Sequence, residues 1–411
     1  MKFEFLKKLG PGLLFAGAAI GVSHLVQSTR AGADFGFGLL WALLTIHAVK
    51  YPFFQYGPRY ATATGESLID GYAKLGKWVL ALYFIITFAT MFTIQAAVTI
   101  VTAGLASNLF GITDNIALWS VIITIVCFFI LQAGKYKFLD QFIKVIILIL
   151  TLSTVFAVGF AYSGYTEPLN FVQVLPKGTL EVAFLISFLG WMPAPLDIAT
   201  WHSLWALEKD KTEKQSARNF SPRNALFDFN VGYLGTVFLA ICFLSLGVLI
   251  MHHSGKTFSD KAGTFAQELI GLYTQNLGTK SAVFIGIAAF TTMFSTTLTT
   301  LDASPRAMAR SVELLFKRVF PHNYLSWMIL LAAGTIIILT VFISNMLTMV
   351  KIATILSFVT APFYAIANFM LISGKHTPRE WYPSMGLKVL SYIGIIFLIG
   401  FNIWYFIEGW S

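Results

Sequence analysis

Long apolar stretches recur along the whole of this 411-residue chain, and they constrain its fold more than any other feature. The hydrocarbon core of a bilayer is crossed by about 20 residues of α-helix. Eleven stretches approach or exceed that length, and we number them spans one to eleven. They cover residues 11–33, 38–57, 79–106, 116–133, 141–163, 180–206, 226–251, 281–303, 325–346, 351–373 and 387–407. The sequence therefore predicts an integral membrane protein with about eleven transmembrane helices.

Most spans are apolar around the whole helix circumference rather than along one face. The strands of an outer-membrane barrel alternate in polarity over only about ten residues, so this pattern excludes a barrel. Composition agrees, because 57% of the residues are hydrophobic and only 11% are charged. A soluble domain carries roughly 25% charged residues. The predicted fold class is an all-α, multi-pass membrane protein.

Lysine and arginine are distributed unevenly between the connecting segments, which predicts the orientation of the chain. With a cytoplasmic N-terminus, 21 of the 28 basic residues fall in inner segments. The other seven lie in outer segments or span interiors: Arg30, Lys50, Lys177, Lys256, Lys261, Lys280 and Lys351. Cytoplasmic loops collect positive charge, so this bias explains the net charge of +9 without a nucleic-acid partner. The predicted setting is the bacterial inner membrane, with the N-terminus in the cytoplasm.

Enzyme motifs are not found in the sequence. It contains no His-Glu-x-x-His, no Gly-x-Ser-x-Gly, no Walker loop and no dinucleotide fingerprint. The two cysteines, Cys127 and Cys242, lie in apolar runs and provide neither a disulfide framework nor a zinc site. We therefore expect neither an enzyme nor a bound cofactor.

Two spans are interrupted near their middle. Span one contains Gly17-Ala-Ala-Ile-Gly-Val-Ser-His-Leu-Val-Gln27, and span six contains Gly190-Trp-Met-Pro-Ala-Pro-Leu-Asp197. Two prolines one residue apart remove backbone donors and open a helix. Interruptions at corresponding positions of two five-span halves indicate a transporter's binding site, whereas the alternative is a pair of kinks packed against neighbouring helices. We predict unwinding near Gly21–His24 and Met192–Pro195.

Several motifs resemble those of the Nramp family of divalent metal transporters, which has the inverted-repeat fold of the leucine transporter. They are Gly10-Pro-Gly12, Ala31-Gly-Ala-Asp-Phe-Gly36, Leu39-Leu-Trp41, Tyr60-Ala-Thr-Ala-Thr-Gly-Glu-Ser-Leu68, Met192-Pro193 and Ala361-Pro-Phe363. The likeness covers essentially the whole chain. It implies one membrane transport domain over 1–411, with repeat one at about 11–163, repeat two at about 180–373 and an extra helix at about 387–407.

The metal-binding motifs of that family are altered in this sequence. Gly21-Val-Ser-His24 stands where the family has Asp-Pro-Gly-Asn, and Met192-Pro-Ala194 stands where it has Met-Pro-His. The acidic pair associated with proton movement aligns with Gln95 and Val98, and a metal-holding glutamine aligns with Thr354. The resemblance thus implies that the Met192 thioether is the one family ligand retained.

The candidate substrate site consists of the polar or altered residues at the two interruptions. These are Gly21, Ser23, His24, Gln27, Met192, Ala194, Asp197 and Thr354. Among them His24, Met192 and Asp197 could hold a metal. Asp197 could instead cap the second half of span six, and His24 could instead be satisfied by a backbone carbonyl exposed at the break.

Two functions fit these residues, and both need only the lipid bilayer and a small transported substrate as partners. The first is a metal-ion transporter of altered selectivity, because imidazole and thioether ligands favour later transition metals. The second is a transporter of a small polar or zwitterionic organic solute, because helix N-termini bind carboxylates. The family resemblance places metal first. In either case we expect alternating access without the family's usual proton route.

Overall fold

The computed structural model describes residues 10–133, 136–215, 222–252, 258–259, 261–277, 282–342 and 345–408. Helices account for most of this part of the chain, and it contains no strand. The helices are Pro11–Ala19, Ser23–Ser28, Thr29–Phe35, Gly36–Leu39, Leu40–Thr64, Leu68–Leu75, Lys77–Phe110, Ile116–Ala133, Tyr136–Ser163, Thr179–Trp191, Ile198–Gln215, Pro222–Leu246, Gly247–Met251, Ala262–Leu277, Ala282–Phe316, Asn323–Ile337, Ile338–Phe342, Met346–Ser373, Arg379–Trp381 and Met385–Glu408. The predicted all-α class is therefore confirmed.

Each predicted span coincides with one helix or with consecutive helical segments. Eight helical stretches in the described residues are long and apolar enough to cross a membrane. Spans one and six are divided into halves, and span eight continues to Phe316, well past the predicted end at 303. The exact number of crossings stays a prediction. The predicted basic residues Lys2, Lys7, Lys8, Lys135, Arg218, Lys256 and Lys280 lie outside the described residues.

A buried carboxylate holds the beginning of span one against span seven. The two oxygens of Asp228 accept the backbone N–H groups of Gly10 and Gly12, each at 2.9 Å. The first N–H groups of a helix have no partner within the helix, and an acid near them is favourable. A Cβ at position 12 would lie 2.1 Å from the backbone oxygen of Asp228, so the close approach requires glycine. The resemblance motif Gly10-Pro-Gly12 is thus a helix-packing and capping motif.

The first half of span six packs equally closely against span ten. A Cβ at Gly190 would lie 2.1 Å from the backbone oxygen of Thr354. Small residues allow membrane helices to approach at backbone distance. This contact fixes the end of the first half of span six just before its interruption.

Candidate substrate site

The interruption of span six is a non-helical segment six residues long. The first half of the span ends at Trp191 and the second begins at Ile198. Pro193 and Pro195 lie between them and have no N–H to continue the helix, and the Met192–Pro193 peptide bond is cis. Every residue of this segment is buried. The predicted break is therefore present, and it leaves several backbone carbonyls without helical partners.

A lysine from span two binds these carbonyls. The Lys50 ammonium donates to the backbone oxygens of Leu189 at 2.7 Å, Gly190 at 2.8 Å and Ala194 at 3.3 Å. Lys50 has an exposed fraction of 0%. A lysine within a membrane span can extend its side chain to the membrane surface or pair with polar groups nearby. Lys50 pairs with polar groups. An interior lysine is costly in a membrane unless it faces a partner or a cavity, which is the signal that could have identified it.

The interruption of span one is much shorter. The first half ends at Ala19, and the chain resumes at Ser23 as a wide π-helical turn that runs to Ser28. His24 lies inside this turn, and its N–H is 3.2 Å from the Gly21 oxygen. The predicted unwinding through His24 is therefore wrong for that residue. Unlike the segment after Trp191, this one contains no proline, so helical hydrogen bonding resumes after two residues.

His24 points to span seven. Its Nε2 lies 3.0 Å from the backbone oxygen of Thr236, and its Nδ1 lies 2.7 Å from Oγ of Ser23. Both ring nitrogens therefore have partners within the protein. Of the two roles predicted for His24, this geometry is that of a histidine satisfied by a backbone carbonyl, and contact with a substrate stays a prediction.

Three other predicted site residues, Gln27, Met192 and Thr354, lie beside the N-terminal half of span six. The Gln27 amide donates to Oγ of Ser187 at 2.7 Å, and that hydroxyl is hydrogen-bonded to the hydroxyl of Thr354. Oε1 of Gln27 is buried and has no partner in the described structure. Near this cluster, Sδ of Met192 lies 4.0 Å from Oγ of Ser28. Spans one, six and ten thus share a short polar chain.

Asp197 directly precedes the second half of span six. It is buried, its Oδ1 has no hydrogen-bond partner in the described residues, and the backbone amide of Ile198 lies near its carboxylate. This is the cap position predicted as one of its two roles. No group of three or more His, Cys, Asp or Glu residues that could hold a metal occurs in the described ranges. The metal ligand set of His24, Met192 and Asp197 stays a prediction.

A small cavity lies between spans one, three, six and eight. The space in it that water can occupy is about 20 Å³, enough for roughly one or two water molecules. The cavity is lined by Ala18, Ala19, Val22, Ser23, Ile94, Val98, Trp191, Ala194, Pro195, Ile198, Trp201, Thr296 and Thr300. Its polar side chains are hydroxyls and indoles, and no ionisable side chain lines it. Ser23 and Ala194 are the predicted site residues that it contains.

Two details of this cavity were not predictable from local sequence. Nε1 of Trp201 is buried and has no hydrogen-bond partner in the described residues. A Cβ at Gly21 would lie 2.8 Å from Oγ1 of Thr296 on span eight. Position 21 is where the family aspartate aligns, so a threonine from another helix fills the space that a side chain there would need. One lining residue of the cavity thus has an unpaired donor, and Thr296 occupies the space that a side chain at Gly21 would need.

The aligned positions of the proton-related acids are also occupied by neutral groups. Gln95 is buried and donates to the backbone oxygen of Thr297 at 3.2 Å. Val98 lines the cavity described above. Neither side chain titrates, and the absence of the family's proton route stays a prediction.

Comparison with known proteins identifies the family to which this chain is similar. The family described as natural resistance-associated macrophage protein-like (Nramp) matches residues 12–408. An uncharacterised protein of Pasteurella multocida is 34% identical over 401 residues, which are 95% of this chain and 91% of that protein. These matches confirm the predicted resemblance.

Solved structures agree on the fold. The manganese transporter of Eremococcus coleocola superposes with a TM-score of 0.73 at 13% identity, covering 98% of this chain and 87% of that one. MhsT in complex with L-phenylalanine superposes with a TM-score of 0.63 at 14% identity, covering 97% and 98%. These likenesses agree with the predicted leucine-transporter type of fold. The chain belongs to the Nramp-like family of transporters.

Proposed function

We propose that this chain is a secondary transporter of a small polar solute, neutral or carrying an anionic group, rather than of a divalent metal ion. The sequence alone places metal first, and the geometry of the site favours the other hypothesis. The observation that carries the proposal is the cavity between the halves of spans one and six. Its polar lining consists of hydroxyls and indoles, with no carboxylate, imidazole or thioether. The Nε1–H of Trp201, one of the lining residues, has no hydrogen-bond partner in the described residues.

The donors around the cavity suit an acceptor better than a cation. A buried N–H without a partner loses its hydrogen bond to water, at a cost of roughly 1–3 kcal/mol. A carbonyl, hydroxyl or carboxylate of a solute would restore that bond, whereas a metal ion would be repelled by the N–H dipole. A divalent ion entering a membrane site needs anionic oxygen to offset its desolvation. At Gly21 the side chain of Thr296 takes the space such an oxygen would need.

The position of Lys50 agrees with this preference. Its side-chain nitrogen donates to the carbonyls of Leu189, Gly190 and Ala194, on both sides of Met192. A metal ion at Met192 would compete with these N–H donors for the same backbone oxygens.

Metal transport is the second candidate, and one observation favours it. The thioether of Met192 lies at the break, beside Ser28, where the family keeps its sulfur ligand. A later transition metal is the kind of ion that would use it. The manganese transporter of similar fold supports the same candidate.

The transport cycle involves movement of the two halves of spans one and six. The present cavity accommodates one or two waters, so a larger solute enters only when the spans move apart, as alternating access requires. With Gln95, Val98 and Ala194 at the aligned proton-route positions, transport is not driven through that route. The N-terminus lies in the cytoplasm of a bacterial cell, in accordance with the distribution of basic residues.

Thermal-shift measurements on the purified protein test the substrate class. A specific binder raises the melting temperature by mass action. We expect stabilisation by a member of a panel of amino acids, small carboxylates, polyols and nucleobases, and none by Mn²⁺, Cd²⁺ or Mg²⁺. Saturable stabilisation by a metal alone, with no organic binder, would overturn the proposal.

A matched pair of tryptophan variants tests whether the solute binds in this cavity. Trp201→Phe removes the unpaired Nε1–H of this lining residue and keeps an aromatic ring, and we expect about tenfold weaker binding of the organic solute, or about 1.4 kcal/mol. Trp205→Phe is the control, because Trp205 is also buried but does not line the cavity. Equal losses in the two variants would remove Trp201 from the site.

A further inference from the structure

Lys50 is a buried lysine, and its side-chain ammonium lies at a site formed by backbone oxygens. An ammonium group has three N–H donors, and the three acceptors are the oxygens of Leu189, Gly190 and Ala194. The side chain is fully buried. All donors of the group are therefore used on one short segment of span six, which lies 139 to 144 residues away in the chain.

The local sequence explains why these oxygens are available. In a continuous helix the oxygen of residue 189 would accept the N–H of residue 193, but residue 193 is proline and has none. The helix ends at Trp191, so the oxygen of Gly190 also lies in its last turn. The last carbonyls of a helix are unpaired and carry the negative end of its dipole. Lys50 donates to the oxygen of Leu189 the hydrogen bond that Pro193 cannot donate.

Such a cluster of carbonyls is chemically a cation site. Unwound backbone oxygens and half-helix C-termini are the groups that coordinate coupling cations in transporters with broken helices. Here a covalently attached ammonium occupies the site. The geometry points to Lys50 as a tethered cation that replaces a freely exchanging alkali ion at the break of span six. We infer that the protein keeps this break ordered without sodium or potassium.

The neighbouring charges fit a resident cation. The acid whose charge acts on Lys50 is Asp197, at the other end of the same break. His47 lies one turn before Lys50 on span two, and its Nδ1 lies 2.7 Å from the backbone oxygen of Leu43. The carboxylate and the carbonyl dipoles together offset one positive charge. A second, exchangeable cation would have to share these three oxygens with the Lys50 ammonium.

The test is the melting temperature of the purified wild-type protein in sodium, potassium or choline chloride at equal ionic strength, without any transported solute. We expect equal values in the three salts. A value higher by more than about 3 °C in sodium or potassium would overturn the proposal, because it would reveal an exchangeable alkali site. Since no substrate is added, this result is independent of which solute the protein carries.

Lys50→Ala extends the test by opening the site. We expect a melting temperature lower by more than about 5 °C, with at least half of the loss restored by propylammonium, which matches the atoms removed. Lys50→Met should lose as much and show no such rescue, because its side chain fills the space. Lys351→Ala, at an exposed lysine of span ten, is the control and should behave like wild type.

An undiminished melting temperature in Lys50→Ala, or a loss that propylammonium leaves unchanged, would contradict the tethered-cation role. If Lys50→Ala cannot be purified, the wild-type comparison of the three salts decides the question by itself.

Discussion

The two broken helices of this protein are held together in different ways. In span six the backbone is open over residues 192–197, and an ammonium from another helix binds its carbonyls. In span one only Ile20 and Gly21 leave the helix, after which a π-helical turn begins. Span six is thus stabilised by a charge and span one by close packing.

The difference indicates that a helix break can bind a cation only where its backbone carbonyl oxygens have no hydrogen-bond partner within the helix. In span six the oxygen of Leu189 has no helical partner, because Pro193 has no N–H to donate to it. In span one the backbone re-pairs within two residues, and Thr296 fills the space beside Gly21. Position 21, which the resemblance aligns with the family aspartate, is therefore closed by a neighbouring helix, whereas the carbonyls at the break of span six bind Lys50.

The largest expected effect is at the rigid end of span six. Gly190→Ala would place a Cβ 2.1 Å from the backbone oxygen of Thr354, and backbone atoms cannot move aside as a side chain can. We expect a loss of about 3 kcal/mol or more, since overpacking a closed contact typically costs 1–3 kcal/mol or more. The measurement is the fraction of monodisperse protein after heating. Gly235→Ala, with nothing within 4 Å, is the control and should change little.

A smaller effect is expected at span one, where the obstacle is a side chain. Gly21→Ala meets Oγ1 of Thr296 at 2.8 Å, and we expect a loss of about 1–2 kcal/mol. Thr296→Ala should relieve it, so the double variant should be more stable than the sum of the two single changes. A coupling energy of at least about 0.5 kcal/mol is expected. Strict additivity would show that Thr296 does not close the site.

The smallest of the three effects concerns His24. His24→Ala removes hydrogen bonds to Ser23 and the Thr236 carbonyl, and we expect about 1–1.5 kcal/mol of lost stability with the affinity for the transported solute unchanged. The check is solute binding by wild type and variant from mildly acidic to mildly alkaline pH. A weaker affinity in the variant, or a different pH dependence, would return His24 to the list of substrate ligands.

Local sequence was sufficient for the spans and for one of the two breaks. Apolar length predicts the all-helical class and the positions of the long helices in the described residues, and the proline pair predicts the open segment after Trp191. The short turn at His24 was not predictable, because glycine permits a break without requiring one. Span eight runs past its predicted end because residues 304–316 include charged side chains, among them Arg310, which pairs with Asp70 on another helix. Apolar length does not mark such a segment.

The site itself depends on contacts between distant residues. Lys50 and Leu189, Gly21 and Thr296, and Gly12 and Asp228 each come together only when the helices pack. No local pattern specifies such pairs. The sequence did contain one usable signal, an uncompensated lysine in the middle of span two, because an interior charge requires a partner.

The measurement that tests the central claim most directly is calorimetric titration of Mn²⁺ into the purified wild-type protein and into Gly21→Asp/Thr296→Ala. The double variant restores a carboxylate at the family position and removes the side chain that fills it. We expect no saturable Mn²⁺ binding by the wild type, and measurable binding only after the site is opened and made acidic. Saturable binding of Mn²⁺ to the wild type at micromolar concentrations would contradict the account and establish a metal site that the hydroxyl-lined cavity does not explain.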